Sequence, residues 1–247
     1  MSRLRPLGAL LWILAILGLA SGLYAASRTE HPLPFRLREV RVVGATRTDP
    51  EAVWRAAGVE PGRPLFGIDV GRVREAVEAL PWVRRARVVR QIPSTLRIRV
   101  EEWTPGYLIR LDRLCYLTAE GHVVRAPLDQ GLDFPVVTGI TAAELTRDGP
   151  ARQALLELLA RLDRGEIPGE VGEIHVDPTD GLTVYTAGPG ARAVHLGFRD
   201  LGDQLRRLAR LDRHLKKRGQ RARVVDLDYE DKIVARLGGA AGRSTRP

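Results

Sequence analysis

Residues 80–102, LPWVRRARVVRQIPSTLRIRVEE, carry an alternation that dictates their structure. From Thr95 to Glu101, Leu96, Ile98 and Val100 alternate with Arg97, Arg99 and Glu101. That period of two puts the apolar side chains on one face and the charges on the other, as a half-buried antiparallel strand requires. Val83 to Arg90 alternates less cleanly. The link Gln91-Ile92-Pro93-Ser94 contains a proline, which has no N–H for a ladder and belongs in a turn. The segment reads as a β-hairpin, patterned for recognition rather than chemistry.

Upstream, no residue from Leu7 to Ala26 is charged. At about 1.5 Å per helical residue that stretch spans roughly the 30 Å hydrocarbon core of a bilayer, so one membrane-spanning helix is expected. A cleavable signal peptide is the rival, with Arg3 and Arg5 as its basic start and Ala20, Gly22, Ala25 and Ala26 near its end. Signal cores usually run about 7 to 15 residues, which favours a retained anchor. Arg28, Arg36, Arg38 and Arg41 compete with Arg3 and Arg5 under the positive-inside rule. Long domains cross largely regardless of charge, so the stub 1–6 is expected in the cytoplasm and the bulk of the chain outside. Residues 27–34, polar and proline-bearing, read as a linker.

The chain has 247 residues, enough for real cores, and its single cysteine, Cys115, allows no internal bridge. The formal charge of +9 comes mostly from arginine and is spread along the sequence. A nucleic-acid reader needs a clustered basic stripe or aromatic stacking platforms, and with aromatics at 5% and dispersed no such role is expected. The favoured reading is a solvated, arginine-rich surface near anionic lipid headgroups.

After the linker, Leu37 to Val43 reads as a strand that turns at Gly44. Thr48-Asp49-Pro50-Glu51 reads as a capping box, with the Thr48 hydroxyl and the Glu51 carboxylate each taking an orphan N–H. The helix it opens runs to Ala57, and Gly58 supplies the left-handed C-terminal position. Val70, Val73, Val77 and Leu80 recur at helical intervals after Asp69 and predict a second helix. Strand, helix, helix, strand, strand makes a small sheet covered on one face, with open edges that can accept another chain's strand.

Gly44, Leu65-Phe66, Leu80-Pro81-Trp82-Val83, Ala86, Val88, Arg90, Pro93, Leu96, Ile98, Val100 and Glu101 stand in this order and near this spacing. The pattern resembles the POTRA domain of FtsQ/DivIB division proteins, which a membrane helix also precedes. Trp82 is expected to be a packing anchor. The POTRA unit is expected over 35–104, a second domain over 105–237 and a flexible tail over 238–247.

In the second region, short strands are expected at Gly106–Leu111, Leu114–Thr118 and Val123–Arg125, with a tight turn at Gly121. Phe134 to Gly139 resembles the family's apolar-Pro-apolar-Gly segment. A helix over Ala151–Arg164 carries Leu155, Leu158, Leu159 and Leu162 on one face, and one over Asp200–Arg218 turns Leu201, Leu205, Leu208, Leu211 and Leu215 inward. Strands at Val171–Val176, Leu182–Thr186 and Ala193–Leu196 separate them. Ala222–Asp228 and Lys232–Leu237, joined by Tyr229-Glu230-Asp231, form a last hairpin. The expected fold class is α+β: one N-terminal transmembrane helix, a βααββ POTRA domain, then a larger mixed sheet with packed helices.

No catalytic arrangement stands out. Ser94 sits in a turn and Ser27 beside the apolar stretch, and neither has a nucleophile-elbow context. His175 and Asp177 share a strand face and, with His195, raise the idea of a metal site; no further spacing supports it, and solvated or hydrogen-bonded side chains are expected instead. Gly188-Pro189-Gly190 looks like a turn rather than a phosphate loop. A non-enzyme without metal or cofactor is expected.

The family resemblance implies a single-pass scaffold in the bacterial inner membrane at the septum. Its last strand would receive a segment of an FtsB-like partner bound to an FtsL-like one, signalling to FtsW/FtsI-type synthases. Carried onto this sequence, the surface is Tyr229, Lys232, Ile233, Val234, Ala235, Arg236 and Leu237. Asp228 replaces an arginine often found before the tyrosine, and a tryptophan seen in some members is missing from the last strand. The plain alternative for this hairpin is an edge strand blunted by charge. The alternative for the protein is a secreted or outer-membrane assembly factor containing a POTRA domain, which predicts a C-terminal barrel.

Overall fold

The computed structural model describes residues 35–229 and 232–238. The expected membrane helix at 7–26, the stub and linker around it, the Glu230-Asp231 turn and the tail from 239 lie outside the described residues. Among the described residues, no helix is long and apolar enough to cross a membrane.

The first unit contains β1 (Glu39–Val43), α1 (Pro50–Ala57), α2 (Val70–Glu78), β2 (Val83–Gln91) and β3 (Thr95–Glu102). Its sheet has the order β1-β3-β2, with β1 parallel and β2 antiparallel to β3. Leu96, Ile98 and Val100 of β3 are buried against Val53 of α1 and Val73 and Val77 of α2, as the alternation predicts. Gly58 closes α1 in the left-handed conformation. At Gly44, φ is +89°, and a Cβ there would lie 2.2 Å from the Val100 carbonyl oxygen. Only glycine fits that approach.

The expected capping box at Thr48 does not form. Asp49 caps α1 instead, its Oδ1 accepting the Glu51 N–H at 3.0 Å. Thr48 is turned away because the Glu102 carboxylate, at the end of β3, accepts the N–H groups of Thr46, Arg47 and Thr48 at 3.1, 2.9 and 2.7 Å. A true capping box occurs at Thr141 and Glu144, at the start of the short helix α3 (Ala142–Thr146).

The face of this sheet that no described residue covers is cationic. Register places Arg41 opposite Arg97, and Arg87 opposite Arg99. Like charges directly opposite work against a sheet, by about 0.5 kcal/mol per pair.

The second unit is a nine-stranded sheet. Its strands are β4 (Tyr107–Arg110), β5 (Leu114–Leu117), β6 (Val123–Val124), β7 (Val136–Thr138), β8 (Val171–Asp177), β9 (Gly181–Thr186), β10 (Ala193–Leu196), β11 (Ala222–Asp226) and β12 (Val234–Leu237). Their order is β12-β11-β10-β9-β8-β7-β4-β5-β6. The pairs β4–β7, β7–β8 and β10–β11 are parallel and the others antiparallel. Among the described residues the sheet is open, ending at β12 and β6, rather than closed into a barrel. Helices α4 (Pro150–Asp163) and α5 (Leu201–Lys217) bury Leu155, Leu158, Leu159, Leu201 and Leu208 against Ile109, Val137, Ile174, Val184 and Val225.

The two sheets meet along an aromatic seam. Trp82 packs on Tyr116 with ring centroids 4.8 Å apart, and the Arg47 guanidinium lies 4.7 Å over the Trp82 ring while pairing with Asp129 at 3.0 Å. Trp103 stacks on His122 at 4.0 Å. Trp82 is thus a packing residue, and what it packs is the junction.

Candidate functional site

The last hairpin is positioned by α5. Gln204, buried on the first turn, accepts the Gly197 N–H at 3.0 Å and donates to the Arg199 carbonyl at 2.6 Å, which ties the helix start to the end of β10. Asp200 precedes the helix in the left-handed region, with φ +51°. The chain leaves α5 and returns as β11, parallel to β10, with Val194 opposite Val225. β12 then runs back antiparallel, with Ala235 opposite Val225 and Val234 opposite Asp226. Among the described residues no strand pairs with the far side of β12, so one row of its N–H and C=O groups faces outward.

The expected site residues separate by side. Ile233 and Ala235 pack against the core, while Val234 and Leu237 are 50% and 45% exposed and Lys232 and Arg236 face solvent. Tyr229 is 45% exposed and carries the Lys232 ammonium 4.4 Å from its ring centroid. The regular strand covers only Val234–Leu237, so Lys232 and Ile233 lead into it rather than belong to it. Asp228 is exposed, and its carboxylate lies beside Gly197, where a Cβ would meet Oδ1 at 1.8 Å.

One residue without an expected role organises the loop. Arg207 of α5 donates to the Tyr229 carbonyl at 2.8 Å and to the Lys232 carbonyl at 2.5 Å. It bridges both ends of the turn. Nothing in the sequence separates Arg207 from Arg206 or Arg210, and only the placement of α5 against the hairpin does.

The histidines do not converge. His175 and His195 flank Thr183 across three adjacent strands. The Thr138 hydroxyl donates to Glu173 at 2.7 Å and therefore accepts from His175 Nδ1 at 2.9 Å, while His195 Nδ1 is 3.2 Å from the Thr183 hydroxyl. Asp177 accepts N–H groups from Thr179 and Asp180.

The edge and the two-sheet plan can be compared with known proteins. Residues 35–103 match the model of the POTRA domain, FtsQ-type, and residues 108–228 match that of the cell division protein FtsQ/DivIB C-terminal region. A cell division protein FtsQ from Geotalea daltonii is 36% identical over 210 residues, covering 82% of this chain and 76% of the relative. The chain belongs to the FtsQ/DivIB family. A second FtsQ, from Syntrophotalea carbinolica, is 34% identical over 82% of this chain and 74% of its own length. A third, from a Geobacter species, is 32% identical over 81% and 76%. Family membership fixes a role in cell division and an α+β plan in which a POTRA unit precedes the larger sheet.

Proposed function

We propose that the chain is a non-enzymatic, single-pass scaffold of the bacterial division machinery. Residues 7–26 anchor it in the cytoplasmic membrane, the stub 1–6 stays inside, and the units over 35–104 and 105–237 stand outside at the septum. The β12 edge receives a strand from an FtsB-like bitopic partner, itself held by an FtsL-like one. Through them the protein helps regulate septal peptidoglycan synthesis by FtsW/FtsI-type synthases.

The observation that carries this reading is the open edge of β12, which among the described residues pairs with β11 alone. Strand addition draws affinity from main-chain hydrogen bonds and specificity from alternate side chains. Here those are exposed Val234 and Arg236, with Lys232 and Tyr229 beside them. The cations favour an acidic partner segment, taking over the part that Asp228 does not play.

The test is recovery of the FtsB-like partner from membranes by the full-length protein and by Val234→Pro. Proline removes a main-chain donor from the ladder. The variant is expected to recover at least about tenfold less. Equal recovery would end the strand-addition reading. Mass measurement of the mature protein addresses the anchor, because a start near Ala26 or Ser27 is incompatible with it.

A further inference from the structure

The open face of the three-stranded sheet carries Arg41 on β1, Arg85 and Arg87 on β2, and Arg97 and Arg99 on β3. Among the described residues, only Arg41 has a carboxylate partner, Glu39 at 3.0 Å on its own strand. Arg97 sits between Arg41 and Val89, and its Nε is buried without a hydrogen-bond partner. The carboxylates on this face are Glu39 and Glu101, so five arginines less two glutamates leave a surplus of three positive charges. Val43 and Val89, 41% and 46% exposed, lie in the same rows.

Arginines set opposite one another, with Arg85, Arg87, Arg97 and Arg99 lacking a carboxylate partner among the described residues, fit an anion supplied from outside. Guanidinium groups grip phosphate bidentately, and apolar side chains between them suit the boundary below a headgroup layer. The chain indicates which anion is near. Its uncharged stretch ends at Ala26, and residues 27–34 can span at most about 28 Å before the first unit begins. A surface tethered that closely meets bilayer headgroups at high effective concentration.

We propose that this face docks on the anionic phospholipid surface of the membrane, so that the first unit lies against the bilayer rather than swinging on its linker. The inference rests on the anchored reading above. Arg41, Arg87, Arg97 and Arg99 make the phosphate contacts, and Val89 reaches the headgroup boundary.

The test uses the full chain in nanodiscs of phosphatidylcholine alone or with about 30% phosphatidylglycerol, both doped with nickel-chelating lipid. A nitroxide is placed at Val89→Cys; native Cys115 is 1% exposed and does not compete for the label. Relaxation by the nickel lipid is expected to be roughly threefold greater in the anionic discs and to fall away in high salt. R99E should return it to the phosphatidylcholine level while Tm holds or rises by about 1–3 °C, because a repulsive cross-strand pair becomes attractive. A purely structural arginine would lower Tm instead. Equal relaxation in both discs, or no response to R99E, overturns the proposal, and is the result expected if an acidic protein segment is the true occupant. A chain that fails to enter phosphatidylcholine discs refutes the anchor. In that case, co-flotation with phosphatidylglycerol vesicles that R99E abolishes still supports docking, and no co-flotation overturns it.

Discussion

The guanidinium of Arg207 reaches from α5 to the main-chain carbonyl of Tyr229 at 2.8 Å, and its other nitrogen bonds the Lys232 carbonyl. Both contacts are exposed, so each contributes about 1 kcal/mol or less. Arg207→Ala is expected to leave Tm nearly unchanged while speeding hydrogen exchange at Val234–Leu237 and weakening partner recovery. Unchanged exchange there would show that the hairpin holds its shape without the clamp.

Trp82 and Tyr116 join the two sheets. Trp82→Ala removes a half-buried ring and is expected to cost about 2–3 kcal/mol, lowering Tm by several degrees. Arg47→Ala should cost less than about 1 kcal/mol, since its pair with Asp129 is partly exposed. Calorimetry of both variants checks the ranking, and a larger loss for Arg47 would contradict it.

Burial raises the Glu102 carboxyl pKa, but hydrogen bonds from the Arg47, Thr48 and Thr46 N–H groups outweigh it and hold the group below its ordinary value. A depressed folded pKa gives stability that is present above the unfolded value, near 4.5, and lost as pH falls through the folded one. Glu102→Gln is expected to cost about 1–2 kcal/mol at pH 7, with a smaller difference from the native chain at pH 3. Denaturant midpoints at the two pH values measure this, and a constant gap would refute it.

His122 is biased toward its neutral form. Burial lowers its pKa, only partly offset by Glu120. The unfolded state then binds the proton more readily, so the contribution of the Trp103–His122 stack is complete above about pH 6.5 and shrinks as pH falls below it. Imidazole NMR titration should give a midpoint under 6.5. A midpoint above 7 would mean that Glu120 dominates.

Gly44→Ala sets a methyl against the Val100 carbonyl and forces an unfavourable φ. A loss of more than about 2 kcal/mol, or failure to fold, is expected. Normal yield with unchanged Tm would require the loop to have moved.

The first unit was legible because its signals are local and redundant. Leu96, Ile98 and Val100 give the buried face, Val73 and Val77 give the helix stripe, and Gly58 gives the stop. Thr48 misled because its sequence context suits a cap, while the group that takes its N–H, Glu102, lies 54 residues away. In the second unit most elements were readable, but not the strand β7, the short helix α3 or the order of the strands. β7 is only three residues long and is inserted between β4 and β8, a placement set by core packing rather than by period. The hairpin after Ala222 was visible, whereas its parallel attachment to β10 and the reach of Arg207 depend on how α5 lies across the sheet.

Eight spacings of about 4.8 Å separate β12 from β6, so the sheet works as a ruler roughly 38 Å long in its hydrogen-bonding direction. Trp82 and Tyr116 stand near one end of that ruler and the open edge is the other. A partner that engages β12 and also touches the first unit has to bridge that length, which takes about 25 residues of continuous α-helix. A helix shorter than that can hold only a single end, whereas about 12 residues of extended chain reach as far.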